Sequence, residues 1–178
     1  MIFSFKLHQV QRINVWVDEF PDTRLDGALT AQRKRNASKI LSSRAISVEW
    51  YIPRGARVIY GLLGFEFSPN HSSTHTISIH EASKRTQYDS IIAPTRIVSP
   101  VVGIPVEYNE GIMNAISQYY STMGEDVPMG ELNVKYGAFC PVCSNQWIFE
   151  RATKFLLTAL DNDTELDRTE ILNILSSL

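Results

Sequence analysis

Cysteine is scarce in this chain. Two cysteines in 178 residues, three positions apart, are too few for a disulfide framework, and a reducing cytoplasm is the compartment expected. Long apolar runs are missing too. No stretch approaches the ~18 apolar residues that a membrane-spanning helix needs, so no membrane partner is expected. The opening MIFSFKLHQVQR has no sustained apolar segment followed by small residues, and no secretory leader is read there. The chain also lacks a GxxxxGKS/T phosphate loop, a GxGxxG turn, HExxH and GxSxG. The carboxylates Glu66, Glu81 and Glu107 are scattered, with nothing in the sequence pairing them for acid/base work. These absences point to a non-enzymatic protein with no cofactor and no bound nucleotide. What is present, 44% hydrophobic and 10% aromatic residues, is enough to build a core.

Phe3, Phe5 and Leu7 alternate with polar neighbours, as do Ile13, Val15 and Val17, giving two short strands. FPDTRLDG at residues 20–27 is turn chemistry. Over residues 28–43 the steps between Leu29, Arg33, Ala37, Ile40 and Leu41 predict a helix with Arg33, Lys34, Arg35 and Lys39 on its outer face. Strands are expected over 45–52, 57–67 and 74–80, separated by the turns Pro53-Arg54-Gly55 and Ser68-Pro69-Asn70. Residues 82–103 suggest an edge strand interrupted by Pro94 and Pro100. Pro105 opens a helix to about Ser121, and residues 132–136 form a short strand. Ser144 caps a helix to about Leu160 with Trp147, Ile148, Ala152, Phe155 and Leu156 inward. A last amphipathic helix over 164–178 opens with Glu165 and Asp167.

Charge is unevenly placed. Residues 24–57 carry eight basic residues (Arg24, Arg33, Lys34, Arg35, Lys39, Arg44, Arg54, Arg57) against Asp26 and Glu49, within a chain of net charge −2. Residues 161–170 carry five acids and one arginine. The basic stretch has two readings, phosphate neutralisation or a solvated helix face.

The run KYGAFCPVCSNQW places Cys140-Pro-Val-Cys143 between a strand and a helix, an arrangement similar to a thioredoxin-type site. Cys140 would be the nucleophile and Cys143 the resolving partner. Only 35 residues follow, all helical in pattern, leaving no room for the rest of such a domain. As metal ligands, Cys140 and Cys143 would need two of His71, His75 and His80. In a strand His75 shares a face with Ile77 and Ile79 while His80 points away, so surface histidines and no bound metal are expected.

Three stretches between residues 45 and 160 resemble the fourth domain of elongation factor G and related translocases. Arg57, Tyr60, Gly61, Glu66 and Pro69 fall in register with the family's Gly-Arg-Gly-Gln-Tyr-Gly and the strand after it, with Gly55-Ala56 near the paired glycines. Ile104-Pro105-Val106-Glu107-Tyr108 with Gly111, Ile112 and Ala115 is similar to its Ile-Pro-x-Glu-Tyr helix. Gly137, Phe139, Val142, Ser144, Phe149 and Ala152 follow its last strand and helix. Cys140 and Cys143 stand where the family has a tip histidine and an aspartate, so they read equally as two separate substitutions. The segment from Pro69 to Ile104 is longer than in the family, and residues 1–44 have no counterpart.

The resemblance implies an α+β fold: a two-layer β-β-β-α-β-α sandwich of the ribosomal-protein-like type. To it are added an N-terminal β-β-α extension (1–44) packed on the core and an acidic C-terminal helix (161–178), around a domain at 45–160. No counterpart of the family's GTPase domain is present. The implied partner is structured RNA or a ribosomal subunit, met by tip loops 53–57 and 138–143. Arg54, Gly55 and Arg57 suit phosphate contact and Phe139 suits stacking, with Arg33, Lys34, Arg35 and Lys39 extending the basic surface. The alternative is a protein–protein interaction module of adaptor or immunity type that reuses the fold. A thiol or metal role for Cys140 and Cys143 comes third.

Overall fold

The computed structural model describes residues 1–8, 10–94, 96–124, 126–162 and 165–178. Alternating side chains make strands wherever they are expected in the first half: β1 (Ile2–Leu7), β2 (Gln11–Val17), β4 (Arg44–Arg54), β5 (Arg57–Pro69) and β6 (Thr74–His80). The remaining elements are β3 (Leu29–Asn36), β7 (Val101–Val102), α1 (Val106–Thr122), β8 (Gly130–Phe139), α2 (Gln146–Asp161) and α3 (Arg168–Ser177). The fold is a mixed α+β one, with a single multi-stranded sheet and three helices among the described residues. Its strand order is β1-β2-β4-β5-β8-β6-β3, antiparallel throughout except for the parallel β6–β8 pair.

One expected helix is a strand. Residues 28–43 form no helix; Leu29–Asn36 runs antiparallel to β6 at the sheet edge, with Arg33 opposite Ile77 and Arg35 opposite His75. The three-and-four spacing is present, but Ile40 at its end is 79% exposed and stands outside the core. The outer edge of β6 needs a backbone partner, and pairing overrides helix propensity. Its basic side chains suit an edge that must not attract a further strand. The N-terminal extension is therefore all β, and its strands join the main sheet: β2 beside β4, β3 beside β6.

Strand β8 is the hinge of the topology. One edge pairs with β5, from Gly130 opposite Pro69 to Ala138 opposite Leu62. The other edge is shared along its length by β6, by a backbone pairing of Arg24 with Tyr136, and by β7.

The sheet buries two unlike faces. Ile46, Val48, Trp50 and Ile52 point to the helices, where α2 presents Ile148, Phe149, Phe155 and Leu156. Each such side chain contributes roughly 1.5–3 kcal/mol on burial. At Gly61 a Cβ would stand 2.8 Å from Ile148 Cγ2, so the missing side chain lets α2 lie close on β5. The opposite face is covered by irregular chain. Of residues 82–103, expected as an interrupted edge strand, only Val101–Val102 (β7) form one among the described residues, and the residues before it do not. They instead bury Tyr88, Ser90, Ile92, Ala93 and Val98 while Ile91 and Ile97 face out.

Beneath that cover lies a carboxyl group, fully buried. Glu49 Oε1 accepts hydrogen bonds from Tyr60 OH (2.8 Å) and Ser90 Oγ (2.5 Å), while Oε2 has no partner. Burial raises its pKa from the ordinary 4.5, with hydrogen bonds from Ser90 and Tyr60 only partly opposing the shift. Between 4.5 and the higher folded value, the unfolded chain has released this proton and the folded chain still holds it. Folding stability from this group is therefore full below pH 4.5 and is lost as pH rises through the folded pKa. Glu49→Gln keeps an oxygen for both donors and should remove that slope. Urea unfolding of both proteins from pH 4.5 to pH 8 checks it, and parallel stability curves would contradict it.

Candidate functional site

The two loops that the sequence singles out meet at one end of the sheet. Strands β4 and β5 are joined by the two-residue turn Gly55-Ala56, with Arg54 opposite Arg57. Gly55 has φ +60°, the left-handed value that a glycine-first hairpin turn takes without strain. Beside it, the chain leaving β8 makes a tight turn over residues 140–144, where Cys143 N–H and Ser144 N–H both bond Cys140 O. Asn145 then caps α2, its side chain accepting from Ile148 N–H. The cap is one residue later than expected, because the Ser144 hydroxyl has other work.

That hydroxyl ties the loops together. Ser144 Oγ donates to Tyr60 O at 2.6 Å and accepts from Cys140 N–H at 2.8 Å. Tyr60 N–H bonds Cys143 O at 3.2 Å, and Tyr108 OH, from α1, donates to Ser144 O. Between the stitched loops opens a cleft of about 620 Å³, lined by Arg54, Arg57, Val58, Ile97, Val142 and Asn145 among others. Among the described residues two arginines line it and no acid does.

The cleft is flanked by a ladder of arginine and tryptophan. The Arg54 guanidinium lies 5.2 Å from the centre of the Trp147 ring, and Arg151 lies 5.4 Å from Trp147 and 4.8 Å from Trp50. Trp147, expected to point inward, is exposed in the first turn of α2, off the stripe formed by Ile148, Phe149, Ala152 and Phe155. Arg151 was not singled out from the sequence. Its position four residues after Trp147 on a helix is the signal that pairs them. Burial first, and Arg54's charge second, lower the Arg151 pKa; it nonetheless stays cationic, and its buried Nε has no hydrogen-bond partner. Among the described residues neither Arg54, Arg57 nor Arg151 forms an ion pair.

Other expected residues lie elsewhere. Arg33 bonds Ser117 Oγ at 2.8 Å, and Arg35 reaches Tyr120 O and lies over the Tyr120 ring, so both are laid across α1. Lys39 pairs with Asp161 at 2.6 Å, and Lys34 is exposed in β3. Arg33 lies level with Phe67, through Ile77 and Leu132, and Phe67 is ten residues along β5 from Arg57. At ~3.3 Å per residue that is about 33 Å along the strand, so the basic stretch is not one footprint. Phe139 is buried, with Arg85 over its ring, and offers no face for stacking.

Cys140 and Cys143 form a disulfide. Cys140 is 1% exposed and Cys143 is half-buried. Of the histidines, His71 is exposed, His80 is half-buried and His75 is fully buried, correcting the surface placement expected for it. His75 does lie with Ile77 and Ile79, against Phe67 and Tyr120, where its Nδ1–H donates to Pro128 O at 2.7 Å. Among the described residues no three of His, Cys, Asp and Glu are grouped to hold a metal.

Two measurements follow from these contacts. Burial lowers the His75 pKa from 6.5 to about 4. Between those values the unfolded chain takes up a proton that the folded chain refuses, so stability falls as pH drops through this window, by on the order of 3 kcal/mol in all. Imidazole nitrogen NMR should show His75 neutral at pH 5.5, and a midpoint near 6.5 would contradict it. Ser144→Ala removes both tip hydrogen bonds and should cost about 1–3 kcal/mol in denaturant unfolding. A change within error would show that the loops hold together without this hydroxyl.

Comparison with protein-family models, with curated proteins and with solved structures finds no match for the chain, so what the tip binds is a matter of its own residues.

Proposed function

We propose that the chain is a non-enzymatic binding protein that contacts structured RNA or a ribosomal subunit through its tip. The observation that carries this reading is the arrangement of Arg54 and Arg151 on Trp147, beside Arg57 and a cleft with no acid among the described residues that line it. Burial first and the Arg54 charge second lower the Arg151 pKa, so Arg151 stands under like-charge repulsion. A phosphate group relieves that repulsion and is matched by the guanidinium fork. Trp147 adds an aromatic surface on which an unpaired base stacks, a combination that recognises looped or single-stranded RNA. The N-terminal turn of α2, with exposed Asn145 at its cap, adds partial positive charge to the same end.

The element order also favours the resemblance to the fourth domain of elongation factor G. Setting aside the two-residue β7, the run β4-β5-β6-α1-β8-α2 is β-β-β-α-β-α, and the helices α1 and α2 pack together. The two loops that the family would present to the decoding site lie side by side here. The footprint differs from the expected one: Arg54, Gly55 and Arg57 remain in it, Trp147 and Arg151 join it, and Arg33, Lys34, Arg35, Lys39 and Phe139 leave it.

This reading separates the two arginine sets. On a labelled RNA hairpin and on ribosomal subunits, Arg54→Glu with Arg57→Glu should abolish retention at low salt. Arg54→Gln alone should flatten the slope of log affinity against log salt by about 0.7, one phosphate contact. Lys34→Glu, in an exposed edge position, should bind as wild type. Equal binding by wild type and the Arg54/Arg57 reversal would overturn the proposal. Capture of one protein partner that survives RNase, with no RNA bound, would select the interaction-module reading in its place.

A further inference from the structure

We propose that the Cys140–Cys143 disulfide is an exchangeable bond that sets the shape of the tip cleft, and through it the grip on RNA; the second half of this rests on the RNA reading, the first does not. The bond lies in the wall of the cleft. Val142, Cys143, Ser144 and Asn145 line it from one side and Arg54, Arg57 and Val58 from the other. The two Cα atoms are 5.2 Å apart, within the ordinary span for a disulfide.

A bond that closes so short a loop does little to restrain the unfolded chain, since that effect grows with loop length. The fold around it is secured independently by the β5–β8 ladder and the packing of α2. Breaking it therefore costs the domain little, which suits a switch better than a staple. Access is one-sided. Cys143 is half-buried beside Val142, which is 90% exposed, whereas Cys140 is buried. An incoming thiolate attacks Cys143 Sγ; the Cys140–Cys143 bond breaks, Cys140 departs as thiolate and takes a proton from water. A second thiol displaces Cys143 from the mixed disulfide. In sum, the protein disulfide and two small thiols give two protein thiols and one small disulfide, a two-electron exchange.

The consequence reaches the arginines through two hydrogen bonds. Bonded sulfurs stand about 2.05 Å apart, and two thiol sulfurs must retreat to roughly 3.5 Å or more. Cys140 is held by the core, so Cys143 moves. Its carbonyl holds Tyr60 N–H, and the next residue's hydroxyl holds Tyr60 O. Tyr60 is three residues from Arg57 on β5, so the turn that carries Arg54 and Arg57 loosens with it.

The test reads the switch without RNA first. Hydrogen exchange with mass spectrometry on the full chain, air-oxidised and then treated with dithiothreitol, should show faster exchange over 57–62 and 140–148 after reduction, with β2 and β6 unchanged. Cys140→Ala with Cys143→Ala should reproduce the reduced pattern and ignore dithiothreitol, since the chain has no other cysteine. Identical exchange in both forms, a bond that survives dithiothreitol in the native protein, or lost protection throughout the chain would each overturn the proposal. The reduced form should then bind the labelled RNA hairpin about fivefold or more weakly than the oxidised form. Equal binding removes the coupling. No binding by either form, with exchange still different, removes the RNA reading and leaves the exchangeable bond standing.

Discussion

Strand β8 lies inside the sheet, where unpaired backbone groups are costly, and the way it satisfies them sets the rest of the structure. One edge is taken by β5 along almost its full length. The other is divided between β6, Arg24 and β7, three pieces of chain far apart in sequence. This division brings residues 20–28 and 82–100 over the second face, and with them the seryl hydroxyl that bonds Glu49. It also fixes where β8 stops. Its last residues lie level with Leu62, so the turn after Phe139 has to form beside Tyr60 and the β4–β5 hairpin. The tip is thus a product of sheet register, with Ser144 as the link between its loops.

Much of this was legible in the sequence because the signals are local. Val48 and Trp50, Phe65 and Phe67, and Ile77 and Ile79 alternate with partners on the other face, and Ile148, Phe149, Ala152 and Phe155 recur at helical steps. The failures are long-range. LTAQRKRN carries both periods, and what decides between them is the edge of β6, some 45 residues onward, which no local pattern records. Phe139 is an aromatic in a loop until Arg85 and β7 are placed over it. Trp147 reads as core by composition, and only its offset from the apolar stripe tells otherwise. His75 was put on the right face of β6, but that the face is buried depends on α1 and Tyr120.

The cluster around Glu49 illustrates another kind of illegibility. Glu49 stands in the sequence AISVEWYI as an ordinary solvent-facing acid of an alternating strand. Its face is covered by a segment with no regular structure, and its partners Tyr60 and Ser90 come from β5 and from that cover. A carboxyl group in such a place is held by two hydroxyl donors and resists ionisation. It lies under the covering segment and not in the lining of the tip cleft, so it bears on the stability of the two layers.

The same placement explains how a chain of net charge −2 can present a positive end. Of the basic residues between 24 and 57, Lys39 is spent on Asp161 and Arg44 on the carbonyls of Ala159 and Asn162, at the C-terminus of α2. Arg33 and Arg35 are spent on α1. Asp161 and Glu170 stand at that same far end, Asp161 on Lys39 and Glu170 accepting from Asn162 Nδ2. Helix α2 has 16 residues, so its two ends are about 24 Å apart. At physiological salt the screening length is about 8 Å, and acids three such lengths away do not cancel Arg54, Arg57 and Arg151. Net charge therefore says little about what the tip attracts. The cations nearest Asp161 are consumed by it and by helix carbonyls, whereas Arg54, Arg57 and Arg151 form no ion pair among the described residues.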